Sequence, residues 1–280
     1  MTQMIKRGWL AADDVRDVAT VEAELVKFFR ASRPDDIEIL PYAAKKTSIT
    51  GPVSPAELAW FYRVRQIAEE TLVPPYSGDR LRATIPKLHA LMSDPEMARH
   101  VPRLLMECGV RYVIVETIGS AKVDGVCFWL KDGTSPVIGM SLRFDRIDNF
   151  WFVLRHELEH VLLGHGRTTI MLDTDMDGIN ASTSDLLQEE ERLANEAAAD
   201  FCVPKEKLRK FIAVKSPLFP ERDLVGLART LHVHPGVVAG QLRHKTGRYK
   251  LFAKHLVKVR DVVARTAMVD GWGNVVPVEQ

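Results

Sequence analysis

One pentapeptide constrains this chain more than any other feature: His156-Glu157-Leu158-Glu159-His160. Histidines four apart rise on one side of a helix, so both imidazoles can reach a single metal ion. The glutamate between them lies on the same flank, placed to meet a metal-bound water and not the metal. The pattern predicts a helix over residues 148–164. At about 100° per residue, with His156 at zero, His160 falls near about 40° and Glu157 near about 100°. Ile147, Trp151, Leu154, Leu158, Val161 and Leu162 gather between about 140° and 240°, and Arg155 and Glu159 take the polar arc. The helix is expected to bury its apolar face and to offer His156, Glu157 and His160 at the edge of a cleft. A catalytic zinc needs that arrangement.

Zinc hydrolysis needs a third protein ligand, with one position left open. Downstream, Glu189-Glu-Glu-Arg-Leu-Ala-Asn-Glu-Ala-Ala-Ala-Asp200 lies on a second predicted helix, residues 186–202, which Pro204 ends. Glu191 and Asn195 stand four apart on one face, beside Ala194 and Ala198, and small residues there let this helix approach the first closely. Glu191 is the favoured ligand, with Asn195 orienting a histidine through its second ring nitrogen. Spacing alone leaves Glu189, Glu190 and Glu196 as alternatives, and an acidic first turn also suits the helix dipole.

The rest of the chain is that of a globular protein. Of 280 residues 46% are hydrophobic and 27% charged, which excludes a disordered or fibrous chain. No apolar run reaches the roughly 18–20 residues of a membrane span, and no apolar stretch follows Lys6-Arg7 as it would in a signal peptide. Cys108, Cys127 and Cys202 form no CxxC pair, so a disulfide framework is not expected and a reducing, cytoplasmic setting fits. The net charge of +1 hides an asymmetry. Residues 173–200 hold nine acids against one base, and residues 205–265 hold fifteen Lys/Arg against four acids. Such a basic region is a solvated helical surface, or a face that tracks phosphates or an acidic partner.

Four segments are expected: a helical lead-in and linker over 1–53, a helical segment over 54–109, the candidate metallopeptidase core over 110–204, and a basic helical C-terminal region over 205–280. Ser54-Pro-Ala-Glu57 is a capping box with proline in the first turn, and Leu58, Phe61, Val64, Ile67 and Ala68 form the stripe behind it. A second box, Ser93-Asp-Pro-Glu96, opens a helix that stops at Gly109. Strands follow at 112–116, 126–130 and 136–141, separated by Gly/Asp/Lys turns, with an extended end expected at 275–277. The fold class is α+β, a short antiparallel or mixed sheet packed on the HExxH helix and flanked by helical terminal regions.

The residues also carry a family likeness. His156-Glu-Leu-Glu-His-Val-Leu-Leu-Gly-His165, followed by Glu191-Arg-Leu-Ala-Asn-Glu-Ala-Ala-Ala-Asp-Phe-Cys-Val-Pro204, resembles the ImmA/IrrE family of zinc metallopeptidases. That family shows HExxH and then a glutamate in an E-x-x-A-N/D pattern that ends a few residues later in proline. The likeness covers residues 101–204 and continues weakly over 231–242, which is similar to the tail of longer members that begin with a helix-turn-helix repressor module. It implies a small gluzincin-like (zincin) domain holding one Zn²⁺ on His156, His160 and Glu191, with Glu157 as base. It also implies site-specific cleavage of a helix-turn-helix repressor, releasing stress, mobile-element or toxin–antitoxin genes. Residues 1–50 depart from it in showing no DNA-binding module, and Ala197 stands where an aromatic is usual.

Other residues carry weaker expectations. His165 caps the helix carbonyls. His232, His234 and Tyr249 are candidate oxyanion stabilisers. Residues 224–243 have helix, turn, helix form, with Ala228 and Val238 at core positions and His232 where a glycine is expected, so a DNA contact through the basic region is a candidate. Asp173, Asp175, Asp177 and Gly178 open like a calcium loop, but Ser184 at its twelfth position excludes one. Cys202 is expected in the core. Two readings compete: an active zinc endopeptidase, which the intact Glu157 favours, and a regulatory protein that keeps the fold to bind a partner or DNA, which the basic region favours.

Overall fold

The computed structural model describes residues 1–36, 45–46, 53–131, 133–167, 171–174 and 185–276. Most of the polar run 44–52, and the calcium-like loop from Asp175 to Ser184, lie outside the described residues. The fold is α+β, and its centre is a mixed sheet. Its strands are β1 (Lys45–Lys46), β2 (Arg111–Val115), β3 (Val123–Leu130), β4 (Ser135–Met140), β5 (Met171–Thr174) and β6 (Met268–Asp270). Among the described residues their order is β1-β5-β3-β4-β2-β6. β3 runs antiparallel to β4 and β5, and the other pairings are parallel.

Both faces of this sheet are covered at its centre, so β2 and β4 are buried along their whole length. Alternation sends Val113, Val115, Val126, Phe128 and Val137 to one face, against Leu58, Trp60, Phe61, Val64 and Ile67 of helix α3 (Pro55–Glu70). Trp9, Phe28 and Phe29 from α1 (Thr2–Lys6), α2 (Val18–Phe29) and their connections join that layer. Tyr112, Ile114, Cys127, Trp129, Ile138 and Met140 face the opposite way, onto Trp151, Leu154, Leu158 and Val161 of the HExxH helix. Both apolar layers therefore draw on several of the four expected segments.

The capping box at Ser54 forms as expected. The Ser54 N–H donates to Glu57 Oε2 at 2.7 Å, and Ser54 Oγ accepts from the Glu57 N–H at 3.3 Å. The second box is corrected. Ser93 closes a 3₁₀ turn, and Asp94 caps the next one (Pro95–His100), its Oδ1 accepting from the Glu96 N–H at 3.0 Å. A residue before proline is driven to extended backbone, and Asp94 at φ −131°, ψ 123° takes that role. Between the helices α4 (Gly78–Ala90) and α5 (Val101–Glu107) the chain is thus two 3₁₀ turns and no α-helix.

Two strand readings also change. β3 starts at Val123, so Asp124-Gly125 lies inside the strand where a turn was expected. No strand forms at 275–276; the C-terminal strand is β6, which pairs with β2. A buried clasp holds it. Asp270 accepts from Arg7 Nη2 at 2.6 Å, Arg63 Nε at 2.7 Å and Trp9 Nε1 at 3.2 Å, with no side-chain exposure of its own.

Candidate metal centre

The HExxH helix is α6 (Ile147–Leu163), stopped where Gly164 turns left-handed at φ 75°. Two helices cross it. α7 (Asp185–Cys202) brings Ala194 and Ala198, both buried, against it. α10 (Pro235–Thr246) packs on its first turn, where a Cβ on Gly236 would stand 2.7 Å from Ile147 Cγ2. The cleft-edge expectation is corrected by this enclosure. His156, Glu157 and His160 are all 0% exposed, because the sheet and α7 cover the flanks that an apolar wheel leaves open.

The expected ligands converge. His156 Nε2 lies 3.0 Å from His160 Nε2. Glu191 closes the triangle, with Oε2 at 3.4 Å from His156 Nε2 and Oε1 at 3.3 Å from His160 Nε2. Ligand atoms about 2.0–2.1 Å from a tetrahedral ion stand about 3.3 Å apart, so this triangle fits one divalent ion. Its two imidazoles and one carboxylate are a borderline donor set that suits Zn²⁺ better than Mg²⁺ or Ca²⁺. The competing carboxylates are occupied elsewhere. Glu189 accepts both Arg192 Nη2 and Nε at 2.7 and 2.8 Å, Glu196 pairs with Arg192 Nη1 at 2.8 Å, and Glu190 turns to His165 at 3.8 Å.

Glu157 is placed by a residue that sequence reasoning passed over. A Cβ built on Gly125 of β3 would lie 2.8 Å from Glu157 Cδ and closer still to Oε1. Only a glycine leaves the carboxylate that space. The available signal was a glycine within a strand, which marks a close approach; reading it as a turn concealed it.

Other expected residues sit elsewhere. Asn195 is exposed and, among the described residues, hydrogen-bonds to neither imidazole. The second nitrogen of His160 meets His165 instead, Nδ1 to Nδ1 at 2.9 Å. Burial holds the His165 imidazole below the usual histidine range, against the opposing pull of Glu190. His234 caps its own helix, Nδ1 accepting the Gly236 N–H at 3.1 Å, and its backbone N–H donates to Met92 O at 2.7 Å. That puts it near Ile147, at the opposite end of α6 from His160. His232 and Tyr249 are exposed, and neither His232 nor His234 belongs to the His156–His160–Glu191 group. Cys202 is buried, as expected of a core residue.

After α8 (Lys205–Lys215), the helix, turn, helix form expected over 224–243 is present: α9 (Glu221–Leu231), His232 in the left-handed region at φ 55°, then α10. Ala228 and Val238 are buried, as expected of core positions, and Gly236, Val237, Ala239 and Leu242 are buried with them. A shallow cavity of about 360 Å³ beside Tyr76, Arg82, Gly164 and Arg167 contains none of the metal-site residues. No helix among the described residues is long and apolar enough to cross a membrane.

Residues 109–242 match the family model for the IrrE N-terminal-like domain, Peptidase_M78. The match contains β2 to β5, α6, α7 and the candidate ligands His156, His160 and Glu191, and it extends to Leu242 near the end of α10. The helix pair at 224–243 is thus almost wholly inside the matched domain. No curated protein matches the chain.

Proposed function

We propose that this chain, which belongs to the ImmA/IrrE family through its Peptidase_M78 domain at residues 109–242, is a zinc-dependent endopeptidase of the cytoplasm. Its substrate is a protein, namely a helix-turn-helix repressor whose cleavage releases stress, mobile-element or toxin–antitoxin genes. The observation that carries the reading is the convergence of His156, His160 and Glu191 within 4.8 Å of one another, with Glu157 next in sequence to the first of them.

His156, His160 and Glu191 would hold the ion. Bound there, zinc supplies the Lewis acidity that makes water nucleophilic near neutral pH and polarises a peptide carbonyl. Glu157 supplies the proton chemistry. Its carboxylate takes a proton from the water as the oxygen bonds to the carbonyl carbon, then delivers that proton to the nitrogen as the C–N bond breaks. Gly125 keeps the carboxylate in place by leaving it room.

The neighbouring genes are sequenced for a small repressor, and the test then pairs zinc content with cleavage of that repressor in the wild type and Glu157→Gln. Glu157→Gln should keep zinc and lose cleavage by at least about 10²-fold. Cleavage at the wild-type rate by the metal-loaded variant would overturn the mechanism, and loss of zinc would make Glu157 a ligand. The second reading, a regulator that acts by binding alone, has the basic residues 205–265 in its favour. Under it, Glu157→Gln would still relieve repression without cutting.

A further inference from the structure

One ligand has a partner of its own. His160 Nε2 faces His156 and Glu191, while its Nδ1 stands 2.9 Å from His165 Nδ1. Two ring nitrogens this close share one proton: one donates and the other accepts. A metal on His160 Nε2 uses that nitrogen's lone pair, so the His160 proton sits on Nδ1. His165 Nδ1 then accepts it, and His165 carries its own proton on Nε2. Glu190 Oε1 lies 3.8 Å from that Nε2, beyond hydrogen-bond reach, and sets a carboxylate facing the N–H of the neutral ring.

The backbone is shaped to hold this imidazole. Gly164 and Gly166, at φ 75° and 76°, flank His165 on both sides. The His165 N–H donates to His160 O at 2.9 Å, and its carbonyl accepts from Trp129 Nε1 at 2.8 Å. A Cβ on Gly166 would stand 2.6 Å from the Cys127 carbonyl oxygen, so glycine lets the segment lie against β3. A left-handed Gly164 alone would end the helix; bracing His165 needs the rest. α7 meets the pair with consecutive residues, Glu191 toward the ligand triangle and Glu190 toward His165.

We propose that His165, backed by Glu190, is a positioning residue that fixes the tautomer and ring orientation of His160 and so tightens zinc binding. The proposal rests on the zinc reading of the site. Groups behind a metal-bound histidine typically contribute 10- to 100-fold in metal affinity.

The experiment measures zinc dissociation constants of the full chain by competition with a chromogenic chelator, with circular dichroism as the fold control. His165→Ala should weaken zinc about 10- to 100-fold. His165→Asn places an amide oxygen where Nδ1 stands and should recover most of that loss. Glu190→Gln should weaken zinc with His165 present and have no effect in the His165→Asn background. Wild-type affinity in both His165→Ala and Glu190→Gln, with zinc lost in His156→Ala, would overturn the positioning role and leave the metal site standing. His165→Asn as weak as His165→Ala would also overturn it, because the ring would then serve only to fill space. If His156→Ala kept its zinc, the site reading would fail and the proposal with it.

Discussion

Gly125 and Glu157 share one volume: the strand gives up a side chain where the glutamate carboxylate lies, within 2.8 Å of where a Cβ would stand. Gly125→Ala therefore moves either the strand or the carboxylate. Overpacking of this kind costs about 1–3 kcal/mol, and cleavage should fall by about 10²-fold or more if Glu157 is the base. Zinc content should stay at the wild-type level, since the three atoms nearest the added methyl all belong to Glu157. Paired metal analysis, urea unfolding and cleavage assays check this. Full cleavage by the alanine variant would show that the carboxylate does not need this position.

The candidate ligand cluster was largely legible because its signals are local. His156 and His160 are paired by helical spacing and Glu191 only narrowed to one of several carboxylates on the next helix, while the Ser54 cap is written in four consecutive residues. Gly125 and β6 were not, because each has meaning only against a partner far along the chain: Glu157 for Gly125, and Arg7 and Arg63 for Asp270. The cleft was misjudged for a related reason. A helical wheel ranks apolar faces and cannot register that Ala194, Ala198 and Gly125 let two neighbours close over polar ones. Glu191 could be separated from Glu189 and Glu196 only once Arg192 was seen to bind both of those.

Metal removal should destabilise the fold. Zinc held by His156, His160 and Glu191 would bind the folded triangle and not the dispersed side chains of the unfolded chain, so saturating metal should raise stability by mass action. Elemental analysis should find about one zinc per chain, as one three-ligand site requires. Chelator-treated protein should melt at a lower temperature, and added zinc should restore it. His156→Ala and Glu191→Ala should each lower zinc content and lose that response. Full retention in Glu191→Ala would transfer the ligand role to a neighbouring glutamate.

His234 predicts an acid-side loss of stability. Burial, with the nearby His255 charge, holds its imidazole below the ordinary 6.5, and Asp94 opposes them only in part. The unfolded chain therefore binds the proton more readily. The contribution is complete above pH 6.5 and is lost as pH falls below it toward the folded value. The geometry agrees, since Nδ1 must be unprotonated to accept the Gly236 N–H. His234→Asn keeps a capping oxygen that does not titrate. Urea midpoints between pH 8 and 5 should fall less steeply in this variant, with little change at pH 8. Parallel curves would remove His234 as the source.

The Asp270 clasp joins residues from both ends of the chain, and removing its charge leaves two guanidinium groups against a partner that no longer balances them. Arg7, Arg63 and Trp9 all donate to this one carboxylate. Breaking a buried ion pair from one side typically costs 3–5 kcal/mol. Asp270→Asn should lower unfolding free energy by about that amount, and zinc content at a temperature where the variant is folded should not change. A urea midpoint equal to the wild type would mean that the apolar packing of Trp9 and Phe28 holds the terminus without the charge.

Recognition of the substrate should depend on salt. Residues 205–265 carry fifteen Lys/Arg against four acids, and three of those acids are already paired inside the region: Glu206 with Arg209, Glu221 with Lys254 and Asp223 with Lys215. Lys207, Lys210, Lys245 and Lys250 are exposed, which leaves a positive surface open to an acidic one. Exposed charges interact over about 10 Å at 0.1 M salt and about 3 Å at 1 M. Binding of the intact repressor to the Glu157→Gln variant, which avoids turnover, should weaken steadily as salt rises across that range. Reversing Lys207 and Lys210 to glutamate should weaken it at low salt and flatten the dependence. An affinity that stays level from low to high salt would take this surface out of substrate recognition.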